Sequence, residues 1–198
     1  MKNYLCINGK KIELTDEQVK QLSNNPVATL SKDGKIAKIG DYEFIVLKKN
    51  DDTVELLLKD ILKKRTFDSD TNNFAESEIR EELNKFADKL IELVGKDNIV
   101  EHTVDLTTLD GLKDYGSCDC LVSLLTFDKA RENIELLDKF KLDCWWWLAT
   151  ALSTPKHDIK YSVCCVSPLG VVFGCCFDDF DDGVRPFCIL KSSIFVSK

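Results

Sequence analysis

Long apolar runs are missing from this chain of 198 residues. No stretch approaches the roughly 20 consecutive apolar residues that a membrane-spanning helix needs, so we expect no membrane insertion. Residues 1–30 also lack a basic start followed by an apolar core, which is the pattern of a secretory signal peptide. We therefore expect a protein that is made in the cytoplasm and is not secreted by a signal peptide.

Positive charge is also scarce, because 27 lysine and arginine residues stand against 34 aspartate and glutamate residues, for a net charge of −7. A protein that binds phosphate backbones needs a basic surface, so we expect no nucleic-acid partner. Histidine occurs only twice, and neither His102 nor His157 lies in a nucleophile elbow or a triad signature. We therefore predict no catalytic residue, no cofactor and no enzymatic activity.

The nine cysteines include no CxxC spacing, so the sequence gives no support to a zinc site. We predict free thiols that act as small hydrophobic side chains, with no disulfide and no bound metal; disulfides and a metal site are the alternatives. Adjacent cysteines in a strand should point to opposite faces, one inward and one outward. The nine are Cys6, Cys118, Cys120, Cys144, Cys164, Cys165, Cys175, Cys176 and Cys188.

A small N-terminal unit is predicted over residues 1–30. Residues 4–14 alternate apolar and polar side chains around Asn8-Gly9, the strongest two-residue signal for a hairpin turn. Thr15 then caps a predicted short helix that ends near Leu22, before the helix-breaking Asn24-Asn25-Pro26.

The remaining residues, 36–198, mix strands with helices and predict an α+β domain. Helical spacing of apolar residues, ended by Gly95, predicts a helix over 76–94. Thr126 should cap a second helix that ends near Leu137. Strands are predicted at 42–47, 54–58, 121–125, 161–166, 171–177 and 183–190, and residues 144–148 form a dense apolar run.

Residues 161–190 lack lysine, glutamate, glutamine, methionine and tryptophan altogether. A buried segment would exclude lysine and glutamate, but it would also exclude the clustered Asp178, Asp179, Asp181 and Asp182. The residue types that are present are nearly all encodable by codons that end in a pyrimidine, and the five missing types are not. Randomising both adenines of asparagine codons would produce this selection of residues.

Three motifs occur in a fixed order: residues 146–150 (WWLAT), 153–155 (STP) and 183–187 (GVRPF). They resemble the WWL…GVRP pattern of a bacterial and phage domain of unknown function, related to the formylglycine-generating-enzyme group. Residues 40–47 resemble its opening strand and residues 77–84 its first helix, so the resemblance covers about residues 36–198. It implies a C-type-lectin-like domain that follows the small N-terminal hairpin-helix unit.

Some members of that family are variable proteins of diversity-generating retroelements, which rewrite a C-terminal segment before the GVRP motif. The resemblance implies that residues of about 156–183, here named the candidate segment, form a changeable ligand-binding surface. It also suggests a phage host-receptor-recognition protein, carried in the virion, that binds a host-surface protein or glycan. The N-terminal unit would contact virion or tail proteins, and the chain could form a homo-oligomer. The predicted ligand-binding residues are Ile159, Tyr161, Ser162, Val171, Phe173, Cys175, Phe177, Asp178, Asp179, Phe180, Asp181 and Asp182.

Several motifs have a plainer interpretation beside the functional one. The tryptophans at 145–147 either stack on a ligand or fill the core. Adjacent side chains in a strand point to opposite faces, so we expect at least one of the three to lie in the core. Arg185 is either a structural arginine or an anion ligand. Residues 178–183 suggest calcium, although their acidic spacing fits an exposed loop better. The competing functions are a thiol enzyme of the formylglycine-generating type and a purely structural virion protein.

Overall fold

The structure is a computed structural model that describes residues 3–7, 10–15, 27–178 and 182–197. It belongs to the α+β class that the sequence predicts, and strands predominate. The described residues form three α-helices, which are α1 (Glu78–Val94), α2 (Phe127–Glu132) and α3 (Ile134–Lys139). Short 3-10 turns occur at Phe74–Glu76, Lys96–Asn98, Pro155–His157 and Ser192–Ile194.

The strands of the described residues are, in chain order, β1 (Asn3–Ile7), β2 (Lys10–Leu14), β3 (Ala28–Leu30), β4 (Ile36–Ile39), β5 (Tyr42–Lys49), β6 (Thr53–Leu58), β7 (Lys63–Lys64), β8 (Ile99–Val100), β9 (His102–Asp105), β10 (Ser117–Cys120), β11 (Val122–Ser123), β12 (Trp146–Ala151), β13 (Ser162–Val166), β14 (Val172–Cys176), β15 (Gly183–Val184), β16 (Phe187–Lys191) and β17 (Phe195–Ser197). The strands predicted at 42–47 and 54–58 are confirmed as β5 and β6. They form an antiparallel pair, and the Asn50 amide donates to the Thr53 carbonyl at 2.8 Å in the turn between them.

Two sheets make up most of the molecule. The larger has the order β11-β16-β6-β5-β4-β3-β17, with β8 pairing beside β16, and the smaller has the order β14-β13-β12-β15-β7. In the smaller sheet the strands predicted at 161–166 and 171–177 are confirmed as β13 and β14, which form a hairpin, and Gly170 at φ +81° supplies the left-handed residue of its turn. Strands β9 and β10 form a separate antiparallel pair.

Helix α1 packs one face against the larger sheet, as its apolar spacing predicts. Its buried residues recur at helical intervals, and Gly95, at φ +84°, follows its last turn. The Asp68 carboxylate caps the helix by accepting from the Glu78 amide at 2.8 Å, whereas the Ser77 side chain makes no cap bond. The buried face consists of Ile79, Leu83, Phe86, Ala87 and Leu90.

Strand β12 lies between two apolar clusters and is buried on both faces. Trp147 and Ala149 belong to the main core, which extends to helix α1 and strands β5 and β6. Trp146 and Leu148 belong to a second cluster beneath α2 and α3. Alternating side chains of a strand point to opposite faces, so covering both faces buries all six residues of β12.

Some predicted boundaries differ from those of the structure. The hairpin at 4–14 is confirmed as the pair β1–β2, but Asn8-Gly9 and the predicted helix after Thr15 lie outside the described residues. Residues 28–30, assigned above to the N-terminal unit, form β3 in the larger sheet and pair with β4 and β17. The helix predicted from Thr126 is two short helices that meet at Asn133, and the strand predicted at 183–190 is divided at Arg185-Pro186.

Candidate functional site

The candidate segment contains the β13–β14 hairpin at one edge of the smaller sheet. Residues paired across an antiparallel ladder share a face, so Tyr161, Val171, Phe173, Cys175 and Phe177 point to the same side of the hairpin as the main core. The opposite side faces the second cluster, to which Cys164 and Val166 belong.

Most of the described residues of the predicted site are accessible to solvent. Ile159, Tyr161, Val171 and Phe173 are between 40% and 51% exposed, although all four side chains are large and apolar or aromatic. Asp178 is exposed, and Ser162 and Cys175 are half-buried. Trp145 is half-buried beside them, with its ring 5.3 Å from that of Phe173 in an edge-on contact. Leu169, at the hairpin turn, is 78% exposed but is not among the predicted ligand-binding residues.

Two predicted contact residues are instead buried, and the prediction is wrong for them. Phe177 is 5% exposed, because its carbonyl accepts from the Phe67 amide at 2.8 Å and its ring joins the main core beneath Tyr161. Asp182 is 2% exposed, and its carbonyl accepts from the Arg65 amide. Three further predicted residues, Asp179, Phe180 and Asp181, lie outside the described residues.

A disulfide links Cys165 of β13 to Cys175 of β14, which contradicts the prediction of free thiols only. The two residues are diagonal neighbours on the same face of the hairpin, with their Cα atoms 6.1 Å apart, well within disulfide range. The prediction of free thiols followed from the reducing compartment expected for this chain, and it took no account of how the strands pair. Of the second pair, Cys175 is half-buried and Cys176 is exposed, as predicted. Cys164 and Cys165 are both buried, because this part of the sheet is covered on both faces.

One group of potential metal ligands lies in the same place. The sulfur atoms of Cys165 and Cys175 and a carboxylate oxygen of Asp182 are all within 4.8 Å of one another. The disulfide removes both thiolates, so this group leaves one carboxylate for a metal while the bond is intact. Of the acidic run considered for calcium, Asp178 is exposed and Asp182 is buried.

Three of the thiols outside the disulfide, those of Cys164, Cys176 and Cys188, have raised pKa values that favour the protonated form. Burial raises the pKa of Cys164 to about 12, and it raises that of Cys188 to about 12 as well. At exposed Cys176, a hydrogen bond to the Asp178 carboxylate raises the thiol pKa. Since the thiolate is the reactive form, these three side chains are poorly suited to nucleophilic chemistry.

Arg185 of the GVRP motif is a structural residue. It is 1% exposed, and its guanidinium donates to the carbonyls of Leu58, Lys59 and Phe140 at 2.8–3.2 Å. It also lies over the ring of Trp146, 4.9 Å from the centroid. Burial lowers its pKa to about 10, so the side chain remains charged at neutral pH. Arg185 therefore joins β6, the end of α3 and β12, next to the candidate segment.

Asn72 is a second anchor of the candidate segment, and no pattern in the sequence pointed to it. Its buried amide donates to the carbonyls of Ser153 and Ser162 at 3.0 and 3.1 Å, and its oxygen accepts from the Tyr115 hydroxyl at 2.6 Å. A buried amide with fixed partners specifies one arrangement of the chain around it. Asn72 thus holds both ends of the loop that leads from β12 into β13.

That loop also brings together a serine, a histidine and an aspartate. Ser153 donates to Asp110 Oδ2, and His157 Nδ1 lies 2.9 Å from the same oxygen and 3.3 Å from Ser153 Oγ. Hydrogen bonds from Ser153 and Thr108 hold the pKa of Asp110 well below its usual range. In a hydrolytic triad the two ring nitrogens of histidine serve different partners, whereas here Nδ1 faces both. The arrangement fixes the loop.

A cavity of about 460 Å³ lies away from the candidate segment, between β9, β11 and α2. Its charged lining groups are already engaged, because Lys129 pairs with Glu55 and His102 Nε2 lies 2.9 Å from Ser123 Oγ. Burial lowers the pKa of His102, which keeps the ring neutral at physiological pH.

Among the described helices, none combines the length and apolar character needed to cross a bilayer.

Comparisons of the chain with protein-family models, with curated proteins and with solved structures gave no match.

Proposed function

We propose that this protein binds a ligand through the exposed part of the β13–β14 hairpin, and that it is a receptor-recognition protein of a phage particle. A fixed scaffold carries the hairpin, and the side chains of the candidate segment are diversified by a retroelement. The single observation that supports the proposal most is the exposure of Tyr161, Val171 and Phe173, large apolar or aromatic side chains that share one face of the hairpin in a sheet whose interior strand is fully buried.

The proposed fold is C-type-lectin-like. In support, residues of the WWL motif form the interior strand β12, and the chain after the GVRP motif returns to the larger sheet as β16, next to β6. The hairpin that precedes GVRP lies at the edge of the smaller sheet. Core positions do not tolerate substitution and exposed edge positions do, so this arrangement suits a surface that changes while the fold is kept.

The ligand would be a host-surface protein or glycan. Aromatic side chains provide much of the energy of protein interfaces at low entropic cost, and Tyr161 and Phe173 are placed to supply it. The N-terminal hairpin would attach the domain to other virion proteins.

Adsorption of the purified full chain to host cells tests the proposal. We expect the triple variant Tyr161→Ser, Val171→Ser, Phe173→Ser to lose adsorption while its thermal melting curve stays close to that of the wild type. A matched control changes three exposed residues elsewhere, Val27, Leu109 and Ile134, to serine and should adsorb normally. Unchanged adsorption by the first variant would contradict the proposal.

The DNA around the gene tests the diversification separately. We expect a reverse-transcriptase gene and a near-copy of the codons for residues 156–190. If closely related phages carry identical codons over this stretch and neither element is present, the retroelement part of the proposal is wrong.

A further inference from the structure

We infer that the outer edge of β14 is a strand-addition site, which takes an extended segment of a partner protein as an additional strand of the smaller sheet. The inference rests on the proposed function and names the class of partner, a polypeptide and not a glycan. Strand β14 is the edge of its sheet and pairs only with β13 within the residues that the structure describes.

Two hydrogen bonds at the ends of the hairpin fix which backbone groups are free. The Ser167 amide donates to the Val171 carbonyl at 2.9 Å, and the Phe177 amide donates to the Tyr161 carbonyl at 2.9 Å. Bonded and non-bonded pairs alternate along an antiparallel ladder, so Phe173 and Cys175 also bond to β13. The amides and carbonyls of Val172, Gly174 and Cys176 therefore point outward. No other described strand pairs with them.

The two edges of the same sheet differ sharply. At the far edge, β7 has only two residues, Lys63 and Lys64, and both are exposed. Short length and lysine are common devices that prevent a sheet edge from pairing with another chain. The near edge, β14, has five residues, VFGCC, without a charge or a proline. One edge of this sheet is protected against strand addition and the other is open to it.

The side chains around β14 indicate the chemistry of the partner strand. Phe173 and Trp145 offer an aromatic surface on one face of the open edge, which suits an apolar side chain of the added strand. Just past the end of β14, Asp178 is exposed, and none of the described ion pairs involves it. A partner segment with apolar residues at alternate positions and a basic residue near Asp178 would complement both features.

Selection from a library of random linear peptides on the immobilised full chain, beside a glycan array, provides the test. Gly174→Pro removes an outward amide and leaves the inner ladder intact, whereas Gly174→Ala adds a similar Cβ and keeps the amide. That Cβ meets only the flexible Leu152 side chain, at 3.2 Å. We expect selected peptides to bind Gly174→Ala like the wild type and Gly174→Pro about tenfold more weakly or worse, since hydrogen bonds across the edge are lost.

N-methylation of alternate amides in a selected peptide gives the same test without changing the protein, in case Gly174→Pro does not fold. Methylation in one register should abolish binding, and methylation in the other should have little effect. Equal binding to both glycine variants and to all methylated peptides would overturn the inference, as would enrichment of glycans only. Self-association of the chain that Gly174→Pro abolishes would also overturn it, because the occupant would then be a second copy.

Failure of this inference is distinguishable from failure of the proposed function. If the serine variant of Tyr161, Val171 and Phe173 loses adsorption to host cells while Gly174→Pro still adsorbs, the proposed binding surface is retained and strand addition is wrong. If neither variant changes adsorption to host cells, both the proposed function and the strand-addition inference are wrong.

Discussion

Strands β12 and β14 lie in the same sheet, each beside β13, and both are rich in apolar residues. All six side chains of β12, WWLATA, are buried, whereas none of the five of β14, VFGCC, is. Hydrophobicity therefore does not distinguish a core strand from a surface strand in this molecule. Position in the sheet does, because β12 is covered on both faces and β14 is an edge. An apolar strand left at an open edge requires an explanation, and the proposed binding function would provide one.

The largest effect should come from the buried strand. Trp147 is fully buried, and its indole donates to the Arg65 carbonyl at 3.0 Å. We expect Trp147→Ala to lower the free energy of unfolding by about 3–5 kcal/mol, because a large cavity forms in the core. Val171→Ser, on the exposed side of the comparison, should change it by no more than about 0.5 kcal/mol. Urea denaturation of both variants measures these changes in the free energy of unfolding. Similar changes in the two variants would contradict the contrast between a core strand and a surface strand.

The next largest effect should come from the disulfide between Cys165 of β13 and Cys175 of β14. Replacing Cys175 by serine should cost about 2–4 kcal/mol under oxidising conditions, since the unfolded chain is no longer cross-linked. The neighbouring substitution Cys176→Ser is the control and should cost little, because that thiol is exposed. Denaturation of the wild type with and without a reductant should reproduce the difference. Peptide mapping that finds Cys165 and Cys175 as free thiols in the oxidised protein would refute the assignment.

Gly183 tests how tightly the scaffold is packed where the candidate segment ends. Its amide donates to the Trp145 carbonyl at 2.7 Å, and a Cβ at this position would collide with the Ile61 side chain. We expect Gly183→Ala to cost about 1–3 kcal/mol by overpacking. The additional change Ile61→Ala should reduce that penalty in a double-mutant cycle of melting curves. Gly174→Ala in β14 should be nearly neutral by comparison.

Lys63, on the protected edge strand β7, pairs with Glu82 of α1, and this pair predicts that stability depends on pH. Hydrogen bonds from Lys63 and Lys85 lower the pKa of Glu82 from 4.5 to about 2, so the folded state favours the carboxylate. A group with a lowered pKa stabilises the fold above its unfolded pKa, and this stabilisation is lost as the pH falls through the folded value. Glu82→Gln should therefore be less stable than the wild type at pH 7, by up to about 1 kcal/mol. Melting curves should converge between pH 4.5 and pH 2; a constant difference would contradict the pairing.

Local patterns predicted much of the fold. The spacing of Ile79, Leu83 and Phe86 predicted α1, and the apolar runs at 42–47, 54–58, 161–166 and 171–177 predicted the strands β5, β6, β13 and β14. These features depend on residues close together in the chain, which is why the sequence was sufficient. The division of the second helix at Asn133 was missed, because the apolar spacing continues across it.

The candidate site depended more on distant contacts. Phe177 was predicted to be exposed from the composition of its segment and its position before GVRP, but it packs in the main core, and its carbonyl bonds to Phe67, far away in the sequence. The disulfide follows from the register of β13 and β14, which places Cys165 and Cys175 on one face. Asn72 and Asp110 become anchors only once the loop after β12 folds against them. Composition and the resemblance suggested the segment, and tertiary contacts determine which of its described side chains are exposed.

A substitution scan of residues 146–178, scored for protease-resistant folding, tests the division between scaffold and surface most directly. The account predicts that Ile159, Tyr161, Val171, Phe173 and Asp178 tolerate nearly all side chains, while the six positions of β12 tolerate almost none beyond close apolar relatives. Equal tolerance in the two sets, or intolerance at the exposed aromatic positions, would contradict the claim that a fixed core carries a changeable surface.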